Sequence, residues 1–107
     1  MNLVILESPY AGDIETNIAY ARKCVKDCLY RGESPIVSHL LFTQEGILND
    51  DIPHERKLGI DAGLAWKKVA DYTVVYTDLG ITTGMQYGID AAIAAGNRVE
   101  YRVLTVT

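Results

Sequence analysis

The hydrophobic positions of this chain switch repeatedly between two periods. Leu3-Val4-Ile5-Leu6 is a short continuous apolar run, the pattern of a strand buried on both faces. It stops at Glu7-Ser8-Pro9-Tyr10-Ala11-Gly12-Asp13, a loop punctuated by Pro and Gly. Asp13 is a natural helix N-cap, and Ile14, Ile18, Ala21, Val25 and Cys28/Leu29 then recur at helical spacing until Arg31-Gly32. Pro35-Ile36-Val37 reads as a second strand, with Pro at its start, where a missing N–H does least harm. Ser38 to Asp51 is a longer connection of the kind that is usually functional or mobile. Asp51-Ile52-Pro53 opens a second helix that runs through Leu58, Ala62, Ala65, Trp66 and Val69. Gly59 and Gly63 lie four apart within it. Each costs about 1 kcal/mol relative to Ala, which implies a close approach by something. Thr73-Val74-Val75-Tyr76 is the strongest β segment by composition. Thr77 to Thr83 is a loop, and Gly84 or Met85 opens a third helix that ends near Ala95-Gly96. Arg98 to Val103 alternates and closes the domain as a strand, which Leu104 to Thr107 either extend or leave as a frayed end.

The order is β-α-β-loop-α-β-α-β. Alternating strands and helices imply an α/β domain with a parallel sheet and right-handed crossovers. The expected architecture is a small Rossmann-like (flavodoxin-like) three-layer domain with four parallel strands in the order 2-1-3-4. Ligands of such sheets bind outside the carboxyl ends of the strands where the winding reverses. Here that place lies between Ser8–Asp13 and Thr77–Met85, which are also the loops richest in Gly, Ser, Thr and Asp.

Composition narrows the function classes. At 107 residues, 49% hydrophobic and 22% charged, the chain fits one domain over 1–107 and is not disordered. No apolar run approaches the ~18 residues of a membrane span, and Met1 to Glu7 lack signal-peptide chemistry, so a cytoplasmic protein is expected. Ten Lys+Arg against fourteen Asp+Glu argue against binding to a nucleic-acid backbone. A small anionic ligand needs only backbone N–H groups and one Arg. Cys24 and Cys28, four apart on a helix, read as small hydrophobes on the packed face.

Thr82-Thr83-Gly84-Met85 sits where a loop turns into a helix, so free N–H groups and hydroxyls can hold an anion there. The segment is neither a Walker loop nor a G-x-G-x-x-G fingerprint, which disfavours triphosphate hydrolysis and nicotinamide chemistry. Across from it, Ser8, Pro9, Tyr10 and Gly12 can meet phosphate, ribose or base. Asp13 either accepts from sugar hydroxyls or caps its helix. Asp78 belongs to the second loop. His39 follows a strand end on the same sheet edge and offers a ligand or a structural hydrogen bond. Arg56 stands in the first turn of its helix, where an anionic partner or a salt bridge to Glu55, Asp50 or Asp51 would explain it. His39 and His54, without a carboxylate cluster, make no metal site, and no cofactor is implied.

Taken together, Ser8-Pro9-Tyr10 with Gly12-Asp13 and Asn17, Pro35 with Ser38-His39, Pro53 with Glu55-Arg56 and Gly59, Ala70-Asp71, and Gly84-Met85 with Ile89 and Ala92 resemble a phage and bacterial domain of unknown function. That domain is similar to nucleoside 2-deoxyribosyltransferases. The wider superfamily also includes deoxynucleotide N-hydrolases and SLOG domains, which sense nucleotide-derived signals such as cyclic ADP-ribose. The resemblance implies the same Rossmann-like fold. It also implies a glutamate nucleophile on the last helix and, as in the N-hydrolases, an aspartate just before Leu64-Ala65-Trp66. Those two positions fall on Gly88 and Gly63. Asp90 and Asp61 lie two residues away, about 200° around a helix and so on nearly the opposite face.

Glycine can neither attack a sugar carbon nor protonate a leaving base. It can let a ligand lie close to the helix backbone. The expectation is therefore a protein that senses or sequesters a nucleotide-derived or ADP-ribose-like molecule, of the sponge type a phage would use. The alternative is an N-glycosidase or deoxyribosyltransferase using Asp13, Glu7 or Asp90. Homo-oligomerisation through the second and third helices, including Trp66 and the run Ala91-Ala92-Ile93-Ala94-Ala95, is expected in either case.

Overall fold

The computed structural model describes residues 1–104. The chain runs through β1 (Asn2–Glu7), α1 (Ile14–Tyr30), β2 (Glu33–Ile36), α2 (Ser38–Leu41) and α3 (Pro53–Ala65). It continues through a 3-10 turn (Trp66–Lys68), β3 (Tyr72–Tyr76), α4 (Thr83–Ala94) and β4 (Arg98–Arg102). The four strands are parallel and ordered β2-β1-β3-β4. This is the doubly wound, Rossmann-like sheet that the alternation of periods implies. Glu7 pairs in register with Val75, so the carboxyl ends of β1 and β3 lie side by side where the winding reverses.

The period-2 geometry of the strands divides the core. Val4 and Leu6 of β1 and Tyr72, Val74 and Tyr76 of β3 pack beneath α1 against Tyr20, Cys24 and Cys28. Val75 faces the other way and packs on Met85 and Ile89 of α4, with Val99 of β4. Both cysteines are fully buried, as small apolar residues of the packed face, and burial pushes the Cys24 thiol up to about 12. By the same alternation Glu7 continues the Ile5 side of β1, away from α1.

The buried stripe of α1 is rotated from the expected one. It runs Asn17, Tyr20, Ala21, Cys24, Cys28, while Ile14 and Leu29 are exposed. Tyr20 and Asn17 win those places because their polar tips find partners. The Tyr20 hydroxyl donates to Asp78 Oδ2 at 2.5 Å, and Asn17 Nδ2 donates to the carbonyls of Tyr10 and Ala11 at 2.9 and 3.2 Å.

Three further expectations are corrected. β2 starts at Glu33, and Pro35 sits inside it, which this edge strand tolerates. The connection after it contains the short helix α2. The helix expected to run to Val69 ends at Ala65 and tightens into a 3-10 turn, which turns Lys67 inward and leaves Trp66 and Val69 exposed. α3 buries none of its residues, so it stands off the sheet and leaves space above Ile5. Leu104 follows β4 and donates its N–H to Asp78, whereas residues 105–107 of the expected extension lie outside the described residues. No helix among the described residues is long and apolar enough to cross a membrane.

Glu33 and Arg102, on the two edge strands, form a bidentate pair at 2.7 and 3.0 Å. The Tyr72 hydroxyl donates to the same carboxylate. Arg102 and Tyr72 together hold Glu33 down at about 2, well below the usual carboxylate range.

Candidate functional site

A cleft of about 330 Å³ opens at the carboxyl ends of β1 and β3. The loop after β1 forms one wall. It is held by Asn17 as described, and Tyr10 meets the His39 ring edge-on with centroids 5.3 Å apart. His39 reaches the loop from α2, with Nε2 3.2 Å from Ser8 Oγ and 3.3 Å from the Pro9 carbonyl oxygen. Burial lowers its pKa to about 4, so the ring is neutral at pH 7.

The opposite wall is the start of α4. Thr82 caps it, its Oγ1 accepting from the Met85 N–H at 3.2 Å, and the Gln86 N–H bonds back to the Thr82 carbonyl. Among the described residues the N–H groups of Thr83 and Gly84 have no hydrogen-bond partner, and both residues line the cleft. Arg56 of α3 lines it as well. Among the described residues its guanidinium enters no ion pair or side-chain hydrogen bond, so neither Glu55 nor Asp50/Asp51 takes it up.

A second cavity of about 220 Å³ shares Glu7, Ser38, Arg56, Thr83 and Gly84 with the first and continues over Ile5 to Lys67 and Gly88. Glu7 lies at this junction. Its Oε2 is 3.5 Å from Lys67 Nζ, and Lys67 also donates to Thr73 Oγ1 at 3.3 Å. Burial raises the Glu7 pKa against the opposing pull of Lys67, and burial lowers that of Lys67. Each member of the pair is thus pushed toward its neutral form.

The structure brings together Ser8, Tyr10, His39, Arg56, Thr82, Thr83, Gly84 and Met85 of the residues expected at the site. It does not bring in the others. Pro9 touches His39 only through its carbonyl, and Gly12 turns the chain at φ 103° and lines an adjoining cavity that shares Tyr10 and Ala11 with the cleft. Asp13 is the N-cap of α1, accepting from Thr16 N–H and Oγ1 at 3.2 and 2.8 Å, and those bonds lower its pKa. Asp78 is taken by Tyr20 and the Leu104 N–H. Asp90 accepts from Gln86 Nε2 at 2.9 Å on the exposed side of α4.

Both glycines at the positions where a carboxylate was expected are closed by neighbours. A Cβ on Gly63 would meet Ser38 Cβ at 3.0 Å, and a Cβ on Gly88 would lie 1.6 Å from Glu7 Oε2. Of the three carboxylates offered as alternatives, Asp13, Glu7 and Asp90, Glu7 lines the cleft. At Gly88 the group lying against the helix is the carboxylate of Glu7. Its signal in the sequence was its place, directly after the β1 apolar run at the sheet's reversal. Lys67 carried no such signal, because its inward turn depends on the 3-10 geometry.

Comparison with known proteins agrees with this fold. A solved structure described as a 2-deoxyribosyltransferase from the psychrotolerant bacterium Bacillus psychrosaccharolyticus, a biocatalyst for nucleoside synthesis, superposes with a TM-score of 0.63. The identity is 18%, over 98% of this chain and 74% of that one. No curated protein matches. Residues 2–102 match the model of a domain of unknown function, DUF7768, and the chain belongs to that family.

Proposed function

We propose that this protein binds a small nucleoside- or nucleotide-derived ligand, of which ADP-ribose-like molecules are one form, in the cleft between the β1 loop and the start of α4. The observation that carries this reading is the Arg56 guanidinium, which lines the same cleft as the Thr83 and Gly84 N–H groups and has no carboxylate partner among the described residues. A cation and partnerless helix-terminal donors sharing one cavity suit an anionic group such as phosphate. Tyr10 and the neutral His39 supply flat faces and polar edges for a base or ribose. The volume is in the range of small-molecule sites, roughly 300–1,000 Å³. The fold is that of a structure described as a 2-deoxyribosyltransferase, which favours a nucleoside-type ligand over other anions.

Thermal-shift and calorimetric titration with nucleosides, their 5′-mono- and diphosphates and ADP-ribose tests the reading. At least one compound should stabilise the fold, by roughly 2.7 kcal/mol at a hundred times its dissociation constant. Failure of every member to bind rejects it.

A further inference from the structure

We propose that Glu7 is the catalytic carboxyl of this cleft. It takes a proton from a water that attacks the sugar carbon of the bound ligand, so that the protein hydrolyses an N-glycosidic bond. This inference rests on the nucleoside-type ligand proposed above.

Glu7, Glu33 and Asp27 carry largely buried carboxylates, and their surroundings differ. Asp27, on α1, is held by Arg31 and the Tyr76 hydroxyl and lines neither cavity. Glu33, with a side chain 5% exposed, has both oxygens engaged by Arg102 and Tyr72, and lines neither cavity. It is a structural ion. Glu7, 18% exposed, lines both cavities and has one partner, Lys67, at the outer limit of a hydrogen bond. Its Oε1 accepts no hydrogen bond among the described residues. A structural ion pair is not built this way, since an underpartnered buried carboxylate costs stability. A carboxyl that exchanges protons with a ligand needs such a free oxygen.

Gly88 supplies the second, independent observation. A helical glycine is unfavourable by about 1 kcal/mol relative to Ala. Here its missing Cβ leaves the space that Glu7 Oε2 occupies, 1.6 Å from where that Cβ would be. The helix thus gives way to the carboxylate. The bond such a group can break in a nucleoside-type ligand is the one between sugar and base, because positive charge develops on the anomeric carbon beside it.

In the step, the water oxygen bonds to the anomeric carbon while its proton passes to Glu7. The carbon–nitrogen bond breaks with its electron pair on the base nitrogen, which takes a proton from solvent water, and Glu7 gives its own proton back to solvent. Water and the ligand become a free sugar hydroxyl and a free base, and Glu7 ends as it began. Lys67 keeps Glu7 against Gly88. Arg56, from α3, is the other cation lining the cavity with Glu7, Tyr87 of α4 lines it too, and His39 lines the adjoining cleft.

The test incubates the full chain with nucleosides and nucleoside 5′-monophosphates, and measures free base by chromatography and binding by thermal shift. A compound that stabilises the protein should release its base. Glu7→Gln should slow that release by about a hundredfold or more while the stabilisation remains. Asp61→Asn, on an exposed surface pair with Lys57, should leave the rate unchanged. The wild-type rate should rise with pH through one ionisation lying above the ordinary carboxylate range, a readout that needs no variant to fold. Binding without release, release from Glu7→Gln at the wild-type rate, or a flat pH profile each overturns the role of Glu7 and leaves the binding reading standing. If no compound binds, the binding reading fails and this inference fails with it.

Discussion

Glu7 and Gly88, eighty-one positions apart, share one space: the carboxylate of the first occupies the volume that a side chain on the second would fill. Two preferences meet there. The helix gains about 1 kcal/mol from Ala in place of Gly, and the buried Lys67 needs its acidic neighbour.

Gly88→Ala should therefore change sign with its background. In the wild type the methyl drives the carboxylate off Lys67, and stability should fall by about 1–2 kcal/mol. In Glu7→Ala the space is empty, and the same change should stabilise by up to about 1 kcal/mol. Urea unfolding of the four proteins of the cycle measures this, and equal effects in both backgrounds would show that the residues do not compete.

Glu33 sets an acid limit on the fold. Its pKa is about 2 in the folded chain against a reference of 4.5, lowered chiefly by Arg102. A depressed carboxylate stabilises the fold fully above the reference value and loses that contribution as pH falls toward 2, where the folded state also protonates. The contribution is about 3 kcal/mol. Glu33→Gln should flatten this part of the stability-against-pH curve, followed by denaturant melts between pH 5 and about 2. A Gln variant that retains the full acid slope would assign the loss to other groups.

His39 acts in a higher window. Its folded pKa is about 4 against 6.5, because burial disfavours the cation. Below about 6.5 the unfolded chain takes up a proton that the folded chain refuses, so stability falls as pH drops from 6.5 toward 4. The imidazole resonances of His39 in the folded protein should stay those of a neutral ring down to about pH 4. Titration near 6.5 would mean that the ring is not held in the cleft as described.

Arg56 should discriminate by ligand charge. Arg56→Ala should weaken a nucleoside 5′-monophosphate roughly ten- to a hundredfold more than the matching nucleoside, since a lost charge-assisted bond to phosphate is worth about 1.5–3 kcal/mol. Its exposed position predicts little change in melting temperature. Equal loss for both ligands in calorimetric titration would place the phosphate elsewhere.

The sequence by itself determined the order of the four strands and the three longer helices, the parallel sheet with β1 and β3 at its centre, and the two loops that meet at its reversal. These follow from periods of 2 and 3.6 and from the right-handed crossover, which local residue patterns express directly. The duty of single side chains was decided only by tertiary structure. Asp78 looked like a ligand group, but Tyr20 claims it. Nothing along the sequence marked Lys67, which the 3-10 turn brings inward. Glu7, read as the first residue of a loop and as one of three alternative carboxylates, ends β1 and meets the glycine that α4 presents. Contacts between distant residues depend on which faces the packed elements turn toward each other, and no window along the chain contains that.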